Sequence, residues 1–133
     1  MSLHAAKRAD LQGIRKSEQI VLKLIQEAFP GYRIQRQYPY KEIDGRGSRL
    51  HADFAIPQLK LLFERQGEQH YKPVTFGSGD DGESKFHKQR ELDYLKKEIA
   101  EKNRWTLIEI SYKEEKDMTA LDLLNIILKK EQS

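Results

Sequence analysis

Two apolar runs, LHADFAI (Leu50–Ile56) and LKLLFERQ (Leu59–Gln66), are separated only by Pro57 and Gln58. Strand-like runs joined by so short a connection have one economical arrangement, an antiparallel hairpin. A charged segment of helical character follows, from Ser84 as its cap to about Lys102, with Phe86, Leu92, Leu95 and Ile99 as apolar positions. Trp105–Tyr112 then reads as a buried strand. A strand–helix–strand crossover makes the strands on either side of the helix parallel if they share a sheet. The hairpin and crossover together predict a mixed sheet.

The flanking segments complete the pattern. In and just before KSEQIVLKLIQEAFPG, Ile14, Val21, Leu22, Ile25 and Phe29 fall at or near helical spacing, and Pro30-Gly31 ends the helix. YRIQRQYPY (Tyr32–Tyr40) is a strand by its aromatic and β-branched content, and Asp44–Ser48 is a turn. DMTALDLLNIILKK reads as a helix capped by Asp117, with Met118, Leu121, Leu124 and Leu128 on one stripe. The expected fold is therefore α/β, a mixed four-stranded sheet flanked by helices in the order α-β-β-β-α-β-α. Residues 1–133 are expected to form a single domain, with residues 1–10 disordered or extending the first helix and the Gly-, Ser- and Asp-rich stretch 72–83 a mobile loop.

Composition narrows the class. One-third of the residues are charged (34%), and 24 basic residues against 21 acidic ones give a net charge of +3, which suits a polyanionic partner without demanding one. The absence of cysteine excludes a disulfide framework and thiolate metal sites. With no apolar run of membrane-spanning length and no signal-peptide core, no membrane association is expected and a cytoplasmic location is.

Alternation along the hairpin sorts its polar residues. Glu64 and Gln66 point to one face and Phe63 and Arg65 to the other, while Asp53 shares its face with His51 and Ala55. The short connection places Asp53 and Glu64 at neighbouring positions on adjacent strands, where like charges repel. A hard divalent cation, Mg²⁺ or Mn²⁺, would offset that repulsion. The competing reading is a solvated sheet end with the acids paired to Arg49 or Arg65. Glu18 lies on the apolar stripe of the first helix, with Val21, Leu22 and Ile25 at plus three, four and seven. It is either a site carboxylate or a first-turn acid near the helix N-terminus, with Ser17 as the cap. His70 follows Gly67, which permits a redirection of the backbone, and is a natural proton acceptor. No phosphate loop, dinucleotide turn, GxSxG nucleophile or EF-hand spacing is present.

Asp53, ten intervening residues, then Glu64-Arg65-Gln66, on this element order and with an acid on the first helix, resembles the PD-(D/E)XK nuclease motif. SEQ (Ser17–Gln19), RQYPY (Arg36–Tyr40), HADFAIP, FERQGEQHY and the later Gln89, Asp93 and Lys97 are similar to the branch related to very-short-patch repair endonucleases, which includes phage and mobile-element nucleases and EDxHD homing endonucleases. The resemblance covers about Lys16–Tyr112. It implies a restriction-endonuclease-like core and a metal-dependent DNA endonuclease that hydrolyses phosphodiester bonds by a metal-activated water, nicking one strand per active site. Asp53 and Glu64 would hold Mg²⁺ or Mn²⁺ with the Arg65 carbonyl. Glu18 would be the helix-borne acid, Gln66 would orient water, and His70 would be the general base. Two positions depart from the pattern: Gln66 stands where the superfamily has lysine, and Ala52 where it has proline.

The basic residues Lys85, Lys88, Arg90, Lys96 and Lys97 are candidates for DNA phosphate contacts, or simply a solvated helix face. The alternative function is a nucleic-acid-binding module that keeps the nuclease fold without catalysis. The final helix, through Leu121, Leu124, Ile127 and Leu128, serves either core packing or a homodimer, leaving monomer and homodimer both open.

Overall fold

The computed structural model describes residues 13–45, 49–68 and 82–132. Its elements run α1 (Lys16–Ala28), β1 (Gln35–Pro39), a one-turn α2 (Lys41–Asp44), β2 (His51–Ile56), β3 (Leu61–Gln66), α3 (Gly82–Lys102), β4 (Thr106–Ser111) and α4 (Ala120–Glu131). The expected α/β class and order hold, with α2 as an addition. The four-stranded sheet has the order β1-β2-β3-β4, antiparallel except for the parallel β3–β4 pair that the α3 crossover imposes. Residues 1–10 lie outside the described residues, as does most of the 72–83 loop. Gly82 and Glu83, expected in that loop, belong to the first turn of α3.

The hairpin forms in the register Phe54↔Phe63, Ala55↔Leu62, Ile56↔Leu61. Its connection is longer than the expected two residues. Pro57–Leu59 make a 3₁₀ turn, and Lys60, left-handed at φ 55°, closes it. Proline at the first helical position suits such a turn, because its fixed φ is helical and the missing N–H is not needed there.

Alternation buries both faces of β2 and β3. On one face Phe54, Ile56, Leu61, Phe63, Ile108 and Ile110 pack against Val21, Leu22, Leu24 and Ile25 of α1 and Leu123 and Ile127 of α4. On the other, Ala55, Leu62 and Leu107 meet Tyr40 together with Ile99 and Ala100 of α3. Each fully buried large side chain contributes about 1.5–3 kcal/mol, so the thinner α3 layer is the weaker of the two.

Several local expectations are corrected. α1 starts after Arg15 with no side-chain cap, and Ser17 is already helical. Ser84 lies within the first turn of α3 rather than capping it. On α3, Leu95 is exposed and Lys96 is buried instead. α4 is rotated from the expected stripe, with Leu123 and Ile127 inward and Leu121 and Leu128 exposed. Its cap is Thr119, not Asp117: the Thr119 hydroxyl accepts from the Asp122 N–H, and the Asp122 carboxylate accepts from the Thr119 N–H. This reciprocal box satisfies two otherwise orphan donors. Thr119→Ala should lower stability by about 1 kcal/mol, read as a fall in the melting temperature of about 4 °C. No described helix is long and apolar enough to cross a membrane.

Candidate functional site

The β2–β3 ladder ends at Phe54↔Phe63. One step further in the same register, Asp53 and Glu64 stand across from each other, on the face that α3 covers. The strands do not continue their ordinary bonding there: the Arg65 backbone N–H donates instead to Asp53 Oδ2 at 2.8 Å. A side-chain oxygen thus takes a ladder donor, and the Asp53 carboxylate is fixed against the β3 backbone beside Glu64.

Glu64 is 8% exposed and held at both oxygens. Lys96 Nζ donates to Oε1 at 2.7 Å, and the Tyr40 hydroxyl donates to Oε2 at 2.9 Å. Burial raises the Glu64 carboxyl above its ordinary value, with Lys96 and Tyr40 opposing the rise and the nearby Asp53 adding to it. Tyr40, fully buried, is pushed upward by burial first and then by Glu64, Glu109 and Asp53, so its hydroxyl stays a neutral donor. Lys96 is 9% exposed; a buried ammonium requires a partner of this kind.

The next strand extends the charge row. Glu109 on β4 is the register partner of Glu64. Its carboxylate accepts from the Gln66 amide on one oxygen and pairs with Lys97 Nζ at 3.2 Å on the other. Asp53, Glu64 and Glu109 therefore lie on three adjacent strands, at an interstrand spacing of ~4.8 Å, and α3 sets Lys96 and Lys97 over the latter two. Arg65 turns to the opposite face. Its Nε and a terminal nitrogen reach both oxygens of buried Glu115 at 2.7 and 3.0 Å, tying the end of β3 to the loop before α4. The Arg65 guanidinium that the competing reading offered to the acids goes to Glu115, and Asp53 takes the Arg65 backbone N–H.

The structure brings Asp53, Glu64 and Gln66 together. Glu18 is half-buried on α1, across the sheet, where its charge acts on the Arg65 guanidinium. His70 lies outside the described residues. Lys85, Lys88 and Arg90 are exposed along the outer part of α3, with Arg90 over the Phe86 ring at 5.7 Å. Tyr40, Lys96 and Glu109 are the members that sequence reasoning missed as parts of the carboxylate site. Of these Glu109 carried a signal, since it lies between Ile108 and Ile110 and so faces away from both.

Carboxylates are the ligands a hard divalent cation takes, but both Glu64 oxygens and Asp53 Oδ2 already accept hydrogen bonds. Two carboxylates opposed on adjacent strands match the one or two that Mg²⁺ commonly takes from protein, with substrate oxygens completing its shell. Lys96 now supplies positive charge to Glu64. Among the described residues, no group of three or more His, Asp or Glu side chains could hold a metal ion. A separate cleft of about 820 Å³ lies by Trp105, lined by Lys97, Arg104 and Lys130 but also by Glu101 and Glu131. It sits beside the C-terminal ends of α3 and α4, whose dipoles disfavour an anion there. No protein-family model, curated protein or solved structure matches the chain.

Proposed function

We propose that the chain is a divalent-metal-dependent DNA endonuclease of the PD-(D/E)XK type, nicking one strand per site. The observation that carries this reading is the Asp53–Glu64 pair, opposed where the hairpin ladder ends and joined by a buried ammonium from α3. Asp53 and Glu64 would hold Mg²⁺ or Mn²⁺, which when bound supplies Lewis-acid activation of water and stabilises phosphate charge.

The remaining roles belong to the chain's own groups. Lys96 provides the fixed positive charge that Gln66, standing in the motif's lysine position, cannot. Tyr40 stays protonated and orients Glu64. Glu109 fixes the Gln66 amide, so that its nitrogen is turned to the carboxylate. His70 is proposed as the proton acceptor, whereas Glu18, on α1 across the sheet, takes no part in the site. Lys85, Lys88, Arg90 and Lys97 would meet backbone phosphates.

Supercoiled plasmid with Mg²⁺ or Mn²⁺ should be converted to the open circle, and chelation by EDTA should stop the conversion. The second reading is a nucleic-acid-binding module without catalysis. It is favoured by the occupation of both Glu64 oxygens by Lys96 and Tyr40. Plasmid retardation with no nicking under either metal would select it.

A further inference from the structure

Asp53 takes its orientation from one donor, the Arg65 backbone N–H, which meets Oδ2 at 2.8 Å. A backbone N–H points wherever its peptide is held. Arg65 lies past the last β2–β3 register pair, Phe54↔Phe63, so the β2 ladder does not hold that peptide. What holds it is β4, through Arg65↔Ile110 and Gln66↔Ser111, together with the Arg65 side chain.

That side chain is clamped. Its guanidinium donates through Nε and a terminal nitrogen to the two oxygens of buried Glu115, at 2.7 and 3.0 Å. Two bonds from a planar fork fix direction as well as distance. Glu115 is anchored in turn. The Ser111 carbonyl accepts from the Glu114 and Glu115 N–H groups at 3.0 and 3.1 Å, and the Tyr112 N–H donates to the Gln66 carbonyl at 2.8 Å. Ser111 is the register partner of Gln66, the residue after Arg65. These contacts close a circuit from the end of β3 through the 111–115 turn and back to the Arg65 side chain. The Asp53 carboxylate is attached to this circuit through the Arg65 N–H.

Stability alone is a poor explanation of the pair. Burying a carboxylate against a guanidinium costs desolvation, and apolar side chains of similar volume are often as stable or more so. What an apolar pair lacks is direction, and direction is what the donor of Asp53 requires.

We infer that Glu115 is a positioning residue for Asp53, acting through the Arg65 guanidinium and backbone to set the orientation of the candidate metal ligand. It lies on the opposite face of the sheet from the carboxylate row and touches neither substrate nor metal. This rests on the endonuclease reading, in which Asp53 holds the cation.

The test replaces the pair with apolar side chains, as Arg65→Met/Glu115→Leu, beside Glu115→Gln and the wild-type chain. Three quantities are compared: melting temperature, Mn²⁺ binding by calorimetry without DNA, and plasmid-nicking kinetics. The double variant keeps the N–H of residue 65 and removes only the fork. It should melt within about 4 °C of wild type. It should nevertheless bind Mn²⁺ about 10-fold more weakly and lose kcat about 10- to 100-fold, the scale of a group misplaced by about 1 Å. KM for plasmid should stay nearly unchanged, because the basic residues of α3 are untouched. Glu115→Gln keeps one acceptor oxygen for the guanidinium and should retain part of both lost quantities. A double variant that melts like wild type with wild-type Mn²⁺ affinity and kcat overturns the inference alone. One that melts far below wild type overturns it too, since the pair would then serve the fold. If the wild-type chain neither binds Mn²⁺ nor nicks plasmid, the endonuclease reading fails and this inference fails with it.

Discussion

Asp53→Asn should lose plasmid nicking by about 10³-fold or more, equivalent to roughly 4 kcal/mol of transition-state stabilisation, while the fold stays intact. Asp53 is half-buried and makes one defined contact, its Oδ2 accepting the Arg65 N–H at 2.8 Å. Asparagine offers the same acceptor from its amide oxygen but no negative charge, so the β3 backbone keeps its partner and the site loses a hard anionic ligand. Asp53→Ala removes the acceptor as well and should be less stable than the asparagine variant by about 1 kcal/mol, with the same loss of nicking. Binding of duplex DNA should survive in Asp53→Asn, since the exposed basic residues of α3 are untouched. Nicking by the asparagine variant at the wild-type rate would remove Asp53 from the chemistry and with it the case for a metal held there.

The parts of this site legible in the sequence are those fixed by strand alternation and short connections. The hairpin follows from two apolar runs flanking Pro57, and alternation then puts Asp53 and Glu64 on one face for any connection with an even number of residues. The four-residue connection Pro57–Lys60 leaves that result standing, because it has the same parity as the expected two-residue one. The α3 side was legible only in part. Choosing its apolar residues as the inward stripe selects Leu95, yet the buried positions are Lys96, Ile99 and Ala100. A lysine is buried only where a carboxylate waits for it, and Glu64 lies 32 residues earlier in the chain. Nothing local to α3 announces that partner. Tyr40 is similar, with its acceptor 24 residues away. On α4, six large apolar residues among Leu121–Leu128 permit more than one inward stripe, and packing against α1 selects Leu123 and Ile127. Thr119 and Asp122 stand at the spacing of a reciprocal cap, so that helix start was readable.

Breaking the Lys96–Glu64 pair carries the largest expected loss of stability of any single contact at the site. Its two side chains are 11% and 10% exposed at a separation of 2.7 Å, so removing one partner leaves a charge in the interior. Lys96→Met should destabilise the fold by about 3–5 kcal/mol near pH 7.5, measured by urea unfolding. The loss should depend on pH with a defined sign. Burial already raises the Glu64 carboxyl above its ordinary value of 4.5, and Lys96 is the first of the influences that oppose the rise. Without Lys96 the folded-state value moves further up. An acid with a raised folded-state value binds more protons folded than unfolded across the interval between the two, so stability falls as pH rises through that interval. Below it the acid is neutral in both states and the penalty is absent. Lys96→Met should therefore be closer to wild type at pH 5 than at pH 7.5, where Glu64 must either ionise unpaired or take up a proton. Adding Glu64→Gln removes the titrating group while leaving an acceptor for the Tyr40 hydroxyl. The double variant should return to within about 1 kcal/mol of wild type, as replaced buried pairs often do, with the pH dependence of the single variant gone. Equal losses for Lys96→Met at both pH values would show that the lysine acts through packing of its aliphatic chain, and that Glu64 does not depend on its charge.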